Sequence, residues 1–208
     1  MAGEAATYLQ EYQNRWKNAE TDYDAKVVGK ADRALALAPD NLAAYETKSY
    51  YLSMTHRWAE ALRATDAGLA INPNSARLFA ARGWPEVNLG RFEQAKSDVR
   101  QAMRLSPRDP GIGHWHLDLG SAELGLGHVD AAIEEFNKAN DSSCCSAAPY
   151  ISLAAAYALN GKMEEAKSAL AEARRLEPEL TIKWLIASIA PNLPPLYEGL
   201  RKAGLPEE

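Results

Sequence analysis

Three side chains in one short stretch could hold a metal: His114, His116 and Asp118. On a helix, residues four apart share a face, so His114 and Asp118 converge while His116 points elsewhere. A catalytic zinc site needs three protein ligands and an open position. Two convergent ligands without a third read as an ordinary polar edge, and no metal site is assigned. Cys144 and Cys145 are the only thiols. Neighbouring Cα atoms lie ~3.8 Å apart across a trans peptide, too close for ordinary disulfide geometry. The pair reads as two reduced thiols, with a redox switch as the alternative. GlyIleGly at 111–113 lacks the later glycine, the lysine and the preceding strand of a phosphate loop. The pairs Glu134–Glu135 and Glu164–Glu165 read as solvated faces. No local motif supports a Ser/His/Asp or Cys/His arrangement. The expectation is a chain that is not an enzyme, takes no cofactor, and works through a surface.

What must position that surface is a set of repeats. Pro39, Pro73 and Pro107 are 34 residues apart, and Pro178 rejoins the series after one shift of three residues. The corrected slot between them falls on Cys144. Each proline closes a similar segment: ALALAP, GLAINP, AMRLSP and ARRLEP. A small residue opens the second helix of each unit at Ala61, Ala95, Ala132 and Ala166. Four residues on stand Thr65, Val99, Phe136 and Leu170, and three further Gly68, Ala102, Ala139 and Ala173. The crossing position of the first helix is small throughout: Ser49, Gly83, Gly120 and Ala154. Interhelix distance follows the side chains at the contact, so these positions predict close helix pairs. Gly90, Gly127 and Gly161 sit in the turns between paired helices, where a left-handed residue costs glycine least. His56 replaces glycine in one turn, and histidine is enriched at positive φ. Pro85 falls inside a first helix, where it removes a hydrogen bond and predicts a kink or a broken turn.

A period of 34 with these recurring positions resembles the tetratricopeptide repeat family over roughly residues 8–180. The resemblance implies an all-α fold: a right-handed superhelical solenoid of about five helix pairs. Repeats are placed at about 8–41, 42–75, 76–109, 113–146 and 147–180, giving an array over 1–180 and a C-terminal capping segment over 181–208. The first repeat is degenerate, and the extra residues within 110–112 lengthen one loop between repeats. In this family the ninth place of each unit faces the concave side. Here it holds Trp16, Tyr50, Trp84, Ser121 and Ala155, with Tyr12, Glu46, Met54, Arg77, Asn88, His114 and Leu117 as neighbouring groove places. Trp, Tyr and Arg dominate interface hot spots, so the groove reads as a site for a peptide or protein partner. The alternative is that the aromatics pack between first helices or lie under an end segment. The subclass that grips a terminal carboxylate uses lysines and asparagines on these helices. Tyr12, Trp16, Glu46, Tyr50, Ala80 and Trp84 stand there instead, which argues against a carboxylate clamp.

Composition narrows the partner. Net charge is −5, without the basic footprint of nucleic-acid binding. No apolar run reaches the length of a membrane span, and the N-terminus does not read as a secretory signal. A cytoplasmic protein binding neither nucleic acid nor membrane is expected. After Pro178, residues 181–189, the breaker PNLPP and a last helix closed by Gly204 can cap the stack through Leu193, Leu196, Tyr197 and Leu200. RLSPRDP (104–110), with residues 115–127, and EGLRKAGLPE (198–207) resemble the C-terminal repeat region of alphaproteobacterial adenylate/guanylate cyclase-type multidomain proteins. That resemblance implies a regulatory portion of a bacterial signalling protein and carries over no catalytic residue. The rival readings are a self-association module forming homo-oligomers, and a small-molecule sensor or enzyme using a concave pocket.

Overall fold

The computed structural model describes residues 2–13, 22–142, 147–188 and 192–208. Trp16, Cys144 and Cys145 lie outside the described residues. Among the described residues there are twelve α-helices and no strand. They are α1 (Ala2–Gln13), α2 (Lys30–Leu37), α3 (Leu42–Met54), α4 (Trp58–Ile71), α5 (Ala76–Asn88), α6 (Phe92–Leu105), α7 (Ile112–Gly125), α8 (Val129–Asp141), α9 (Ala148–Leu159), α10 (Met163–Leu176), α11 (Ile182–Ser188) and α12 (Pro194–Ala203). A π-helical stretch, Asp24–Gly29, leads into α2.

The turns explain why the helices pair. Residues 56, 90, 127 and 161 all have positive φ: 59° for His56, and 71°, 80° and 75° for the three glycines. Beside each, a backbone N–H reaches back five residues to a carbonyl of the finished helix. The bonds are Arg57 to Leu52 at 2.8 Å, Arg91 to Glu86 at 2.8 Å, His128 to Glu123 at 2.9 Å and Lys162 to Tyr157 at 2.9 Å. This closes orphan carbonyls and reverses the chain within a few residues. Gly204 ends α12 the same way, with Leu205 N–H bonded to the Leu200 carbonyl at 3.0 Å. The prolines act at the other end of each pair. Ala38, Asn72, Ser106 and Glu177 precede them, and all four leave the helical region with ψ between 75° and 95°. A residue before proline is pushed out of the α region by the proline ring.

Packing follows the small-residue frame. Ala61, Ala95, Ala132 and Ala166 are fully buried. A Cβ placed on Gly83 would lie 2.6 Å from Val99 Cγ2, and one on Gly120 would lie 2.5 Å from the Phe136 ring. The glycine of the first helix thus receives the large residue of its partner. Each helix packs on its pair-mate and on the next pair. The first helices α3, α5, α7 and α9 also touch one another in a row, while the second helices make no comparable contact among themselves. A row that is closer on one side must curve toward that side, so the first helices line the concave face of a right-handed solenoid.

Two details depart from expectation. α5 runs unbroken through Pro85, which is itself buried together with Glu86, Val87 and Asn88. The broken turn therefore does not occur, although Pro85 has no N–H to donate to the Ala81 carbonyl. Beyond α10, the chain does not simply extend the stack. α12 packs on α9 and reaches α7. The end of the chain returns to α11, with Ile182 N–H bonded to the Pro206 carbonyl and Lys183 N–H to that of Glu207, both at 2.9 Å.

Candidate ligand groove

The concave face is built from α3, α5, α7 and α9. His114, Leu117, Asp118 and Ser121 are spaced i, i+3, i+4, i+7, one stripe of a helix. Glu46 and Tyr50 share a face of α3 by the same rule.

Between α3 and α7 the groove is open. Tyr50 keeps 36% of its surface exposed. Arg77 is exposed and reaches Asp109 Oδ2 with its Nε at 3.4 Å. Asp109 is held in turn by the Gly111 N–H, which donates to Oδ1 at 2.8 Å. Burial raises the Tyr50 hydroxyl above its ordinary pKa, and the charges of Asp118 and Glu46 add to the effect. Burial also raises Glu46, against the opposing charge of Arg77. His114 is exposed overall, yet burial around its ring lowers its pKa.

Toward α9 the groove is covered by the chain's own C-terminal segment. Asn88 is only 3% exposed. Its Oδ1 accepts the Asn192 N–H at 2.9 Å, and its carbonyl accepts from Asn192 Nδ2 at 3.1 Å. Its own Nδ2 donates to the Trp84 carbonyl at 2.9 Å. Leu193 is 1% exposed. Gly199 lies so close to α9 that an added Cβ would meet the Ala155 carbonyl oxygen at 2.3 Å. Under this cover remains a partly open cavity of about 190 Å³. Trp84, Leu117, Asp118 and Ser121 line one side, Ile151 and Ser152 another, and Leu185, Leu193 and Leu196 form the roof. Burial pushes the Asp118 carboxyl up to about 8.

The predicted groove residues therefore divide. Glu46, Tyr50, Arg77 and His114 surround the open half. Trp84 and Leu117 are half-buried and line the covered cavity, with the end segment over them, the second of the two arrangements the sequence left open. Asn88 is not open to a partner, because its side chain is buried and bonded to Asn192. Met54 packs with the apolar cluster of Tyr23, Val27 and Tyr51 rather than standing open in the groove. Tyr12 lies on α1, but its side chain, like the whole of Trp16, falls outside the described residues. His114, His116 and Asp118 diverge: the ring Nδ1 of His116 bonds Glu135 Oε2 at 2.6 Å, away from the other two. Asp118 and Ser152 were missed as groove residues, although the i+4 spacing of Asp118 from His114 was a signal for the first.

Comparison with known proteins agrees with this architecture. The family profile described as Tetratricopeptide repeat matches residues 76–109. This stretch is similar to a tetratricopeptide repeat. Human Tetratricopeptide repeat protein 33 is 30% identical over 104 residues, which cover 50% of this chain and 39% of that protein. The Hsp70-Hsp90 organizing protein of Triticum aestivum is 26% identical over 87 residues, 42% of this chain and 15% of that protein. The chain thus matches well under half the length of these curated relatives. The crystal structure of PilW, a type IV pilus biogenesis factor, superposes with a TM-score of 0.72 at 17% identity, covering 97% of this chain and 91% of PilW. YrrB, described as a TPR protein with an unusual peptide-binding site, gives 0.57 at 18% identity over 83% of this chain and 90% of its own. At these identities the structures speak for the fold, a tetratricopeptide α-solenoid. No described helix is long and apolar enough to cross a membrane.

Proposed function

We propose that this tetratricopeptide array is a non-catalytic scaffold that holds an extended peptide or protein segment in the open half of its concave groove. The observation that carries the reading is the exposed aromatic Tyr50, set beside Glu46, Arg77 and Asp118 on three successive first helices. An aromatic and an arginine exposed beside one another are the residue types that anchor interfaces. Peptide binding by YrrB, in the same fold, supports the reading. The test is selection of a displayed random peptide library on the full chain, with re-binding to Tyr50→Ala and Arg77→Ala. Enriched peptides are expected to bind Tyr50→Ala at least ~30-fold more weakly, the loss of one hot spot. Peptides that bind both variants as well as the parent chain overturn the reading. Sedimentation over a concentration range separates it from self-association, which would appear as a mass that rises with concentration and falls back in Tyr50→Ala.

The context we propose is the regulatory region of a bacterial cyclase-type signalling protein. Its support is the resemblance of 104–110 and 198–207 to such proteins. The adjoining coding sequence tests it: a cyclase catalytic domain in the same frame supports it, and any other neighbouring domain overturns it.

A further inference from the structure

We infer that the cavity between Trp84, Asp118, Ser152 and Leu193 receives the side chain of a lysine from the bound peptide, its methylenes against the leucines and its ammonium on Asp118. The inference rests on the peptide-groove reading above and names what that peptide must carry.

The first support is an unmatched polar set in an apolar cavity. Leu117, Ile151, Leu185, Leu193 and Leu196 supply most of the lining. Ser152 is 8% exposed and faces the same cavity. Its hydroxyl and the Asp118 carboxyl make no hydrogen bond or ion pair among the described residues. Neither is among the buried atoms left without a partner, which are Ser49 Oγ and Glu86 Oε2, so both keep some surface open, where an entering donor can meet them. Ser121 adds a third oxygen; it donates to the Leu117 carbonyl at 2.9 Å and keeps its lone pairs.

The second support is the shape of the demand. One carboxylate and two hydroxyl oxygens suit a compact head with three donors, which is a lysine ammonium. A guanidinium brings five donors in a rigid fork, and one carboxylate with two hydroxyls would leave part of that fork unpaired in an apolar cavity. A lysine stem buries its methylenes along apolar surface while its head finds a polar group. The half-buried ring of Trp84 adds a face on which a cation is attracted. A cavity of about 190 Å³ has room for such a chain.

The third support is continuity with the open groove. Asp118 acts electrostatically on Tyr50, so the cavity carboxyl stands next to the exposed aromatic. A peptide seated on Tyr50 therefore lies beside the Asp118 carboxyl. Of the titratable groups, Tyr50 of α3 feels the charge of Asp118, and His114 stands one turn earlier on α7; Glu46 of α3 and Arg77 of α5 act on Tyr50 in turn. From α9, α11 and the start of α12 the cavity is lined by Ala148, Ile151, Ser152, Leu185, Leu193 and Leu196, none of them titratable. With burial holding it at about 8, free Asp118 is largely protonated at neutral pH. An ammonium favours the ionised form, so binding releases a proton. Affinity then rises by about tenfold per pH unit below 8, and falls again as the amine loses its own proton near ~10.4.

The experiment uses the full chain and n-butylammonium chloride as probe, followed by the chemical shift of the Trp84 indole. n-Butanol serves as the neutral isostere, and Asp118→Asn and Ser152→Val as variants. The expected result is saturable binding of butylammonium that strengthens from pH 6 to 8, with butanol binding at least ~10-fold more weakly. Asp118→Asn is expected to abolish both the preference and the pH dependence while keeping the parent's circular dichroism. In the second arm, peptides selected through Tyr50 are acetylated on lysine and are expected to lose at least ~10-fold in affinity. Butylammonium that fails to saturate, or that binds Asp118→Asn and Ser152→Val as it binds the parent, overturns the inference. Acetylation without effect on Tyr50-dependent peptides also overturns it, and leaves the peptide-groove reading standing.

Discussion

Gly199→Ala adds a single methyl group, and its effect should have a sign opposite to the one helix propensity gives. In the interior of a helix, alanine is preferred to glycine by ~0.5–1 kcal/mol. At Gly199 the new Cβ would lie 2.3 Å from the Ala155 carbonyl oxygen and 2.7 Å from its carbonyl carbon and Cα. These are backbone atoms in the middle of α9, so no side-chain rotation relieves the contact. Restoring an ordinary contact of 3.4 Å requires α12 to lift by about an ångström. Such a gap forfeits about a quarter to a half of the dispersion well at the contacts it opens. Leu193, Leu196 and Leu200 are all buried under α12, and burying each leucine stabilises by ~1.5–3 kcal/mol. Complete detachment would therefore cost more than the strain, so the helix shifts rather than leaves. Overpacking of this kind costs ~1–3 kcal/mol, of which propensity returns less than one. The net expectation is a loss of ~1–2 kcal/mol, or a drop of about 2–8 °C in Tm for a domain of this size.

Urea unfolding of the full chain measures the loss, and hydrogen exchange of the α12 amides locates it. Gly29→Ala is the control. Gly29 has helical φ and ψ of −61° and −39°, and a Cβ there meets nothing within 4 Å. That variant should gain ~0.5–1 kcal/mol. A Gly199→Ala chain as stable as the parent, or more so, with α12 exchange unchanged, refutes the close seat of α12 in the groove.

Ala132 is fully buried beside α7, so Ala132→Leu should cost ~1–3 kcal/mol; an unchanged urea midpoint would contradict the helix register. Trp84→Ala should cost ~2–4 kcal/mol, because the ring packs on the main core cluster; a melting curve that matches the parent would place the ring outside the core. Glu86→Gln and Glu123→Gln should respond to pH with opposite signs. Glu86 is fully buried and raised to about 8 by burial and the nearby Asp98. The unfolded chain therefore loses that proton first, and the parent weakens as pH climbs from ~4.5 to 8; Glu86→Gln should gain on the parent over that window. Burial also opposes the charge on Glu123, but hydrogen bonds from His128 and Lys96 outweigh it and hold the carboxyl below its usual range. Its contribution is present above ~4.5 and is lost as pH falls through the lowered value. Glu123→Gln should thus lose ~1–3 kcal/mol at neutral pH and converge on the parent in acid, as read from urea midpoints across the range.

Those two glutamates show which part of this molecule is legible in its sequence. They occupy one slot of successive repeats, four residues before each turn at Gly90 and Gly127. The slot could be found from spacing, as could the pairing of Gly83 with Val99 and of Gly120 with Phe136, because the contact lies within a unit and repeats with it. The titration could not. Glu86 shares its site with Arg82 and Asp98, with the Arg82 Nε at 2.6 Å from Asp98 Oδ2. Glu123 receives Lys96 Nζ at 3.1 Å, Arg100 Nη2 at 3.0 Å and His128 Nδ1 at 2.8 Å. Those partners sit at places the repeat leaves free to vary, so a charge is decided by neighbours that no period fixes. The groove divides along the same line. Its stripe of first-helix positions follows from the period, and Glu46, Tyr50, Arg77 and His114 fall where spacing puts them. The cover does not follow from it, because Asn192 bonds Asn88 across 104 residues. PNLPP reads as a breaker, and Leu193, Leu196 and Leu200 read as a cap for the last pair. Nothing local says that this cap folds inward over Trp84 instead of outward along the axis. Gly199 permits it: a helix with no side chain at that place can lie directly on the backbone of α9, and any larger residue there would have to lift α12 off that seat to keep the cover in place.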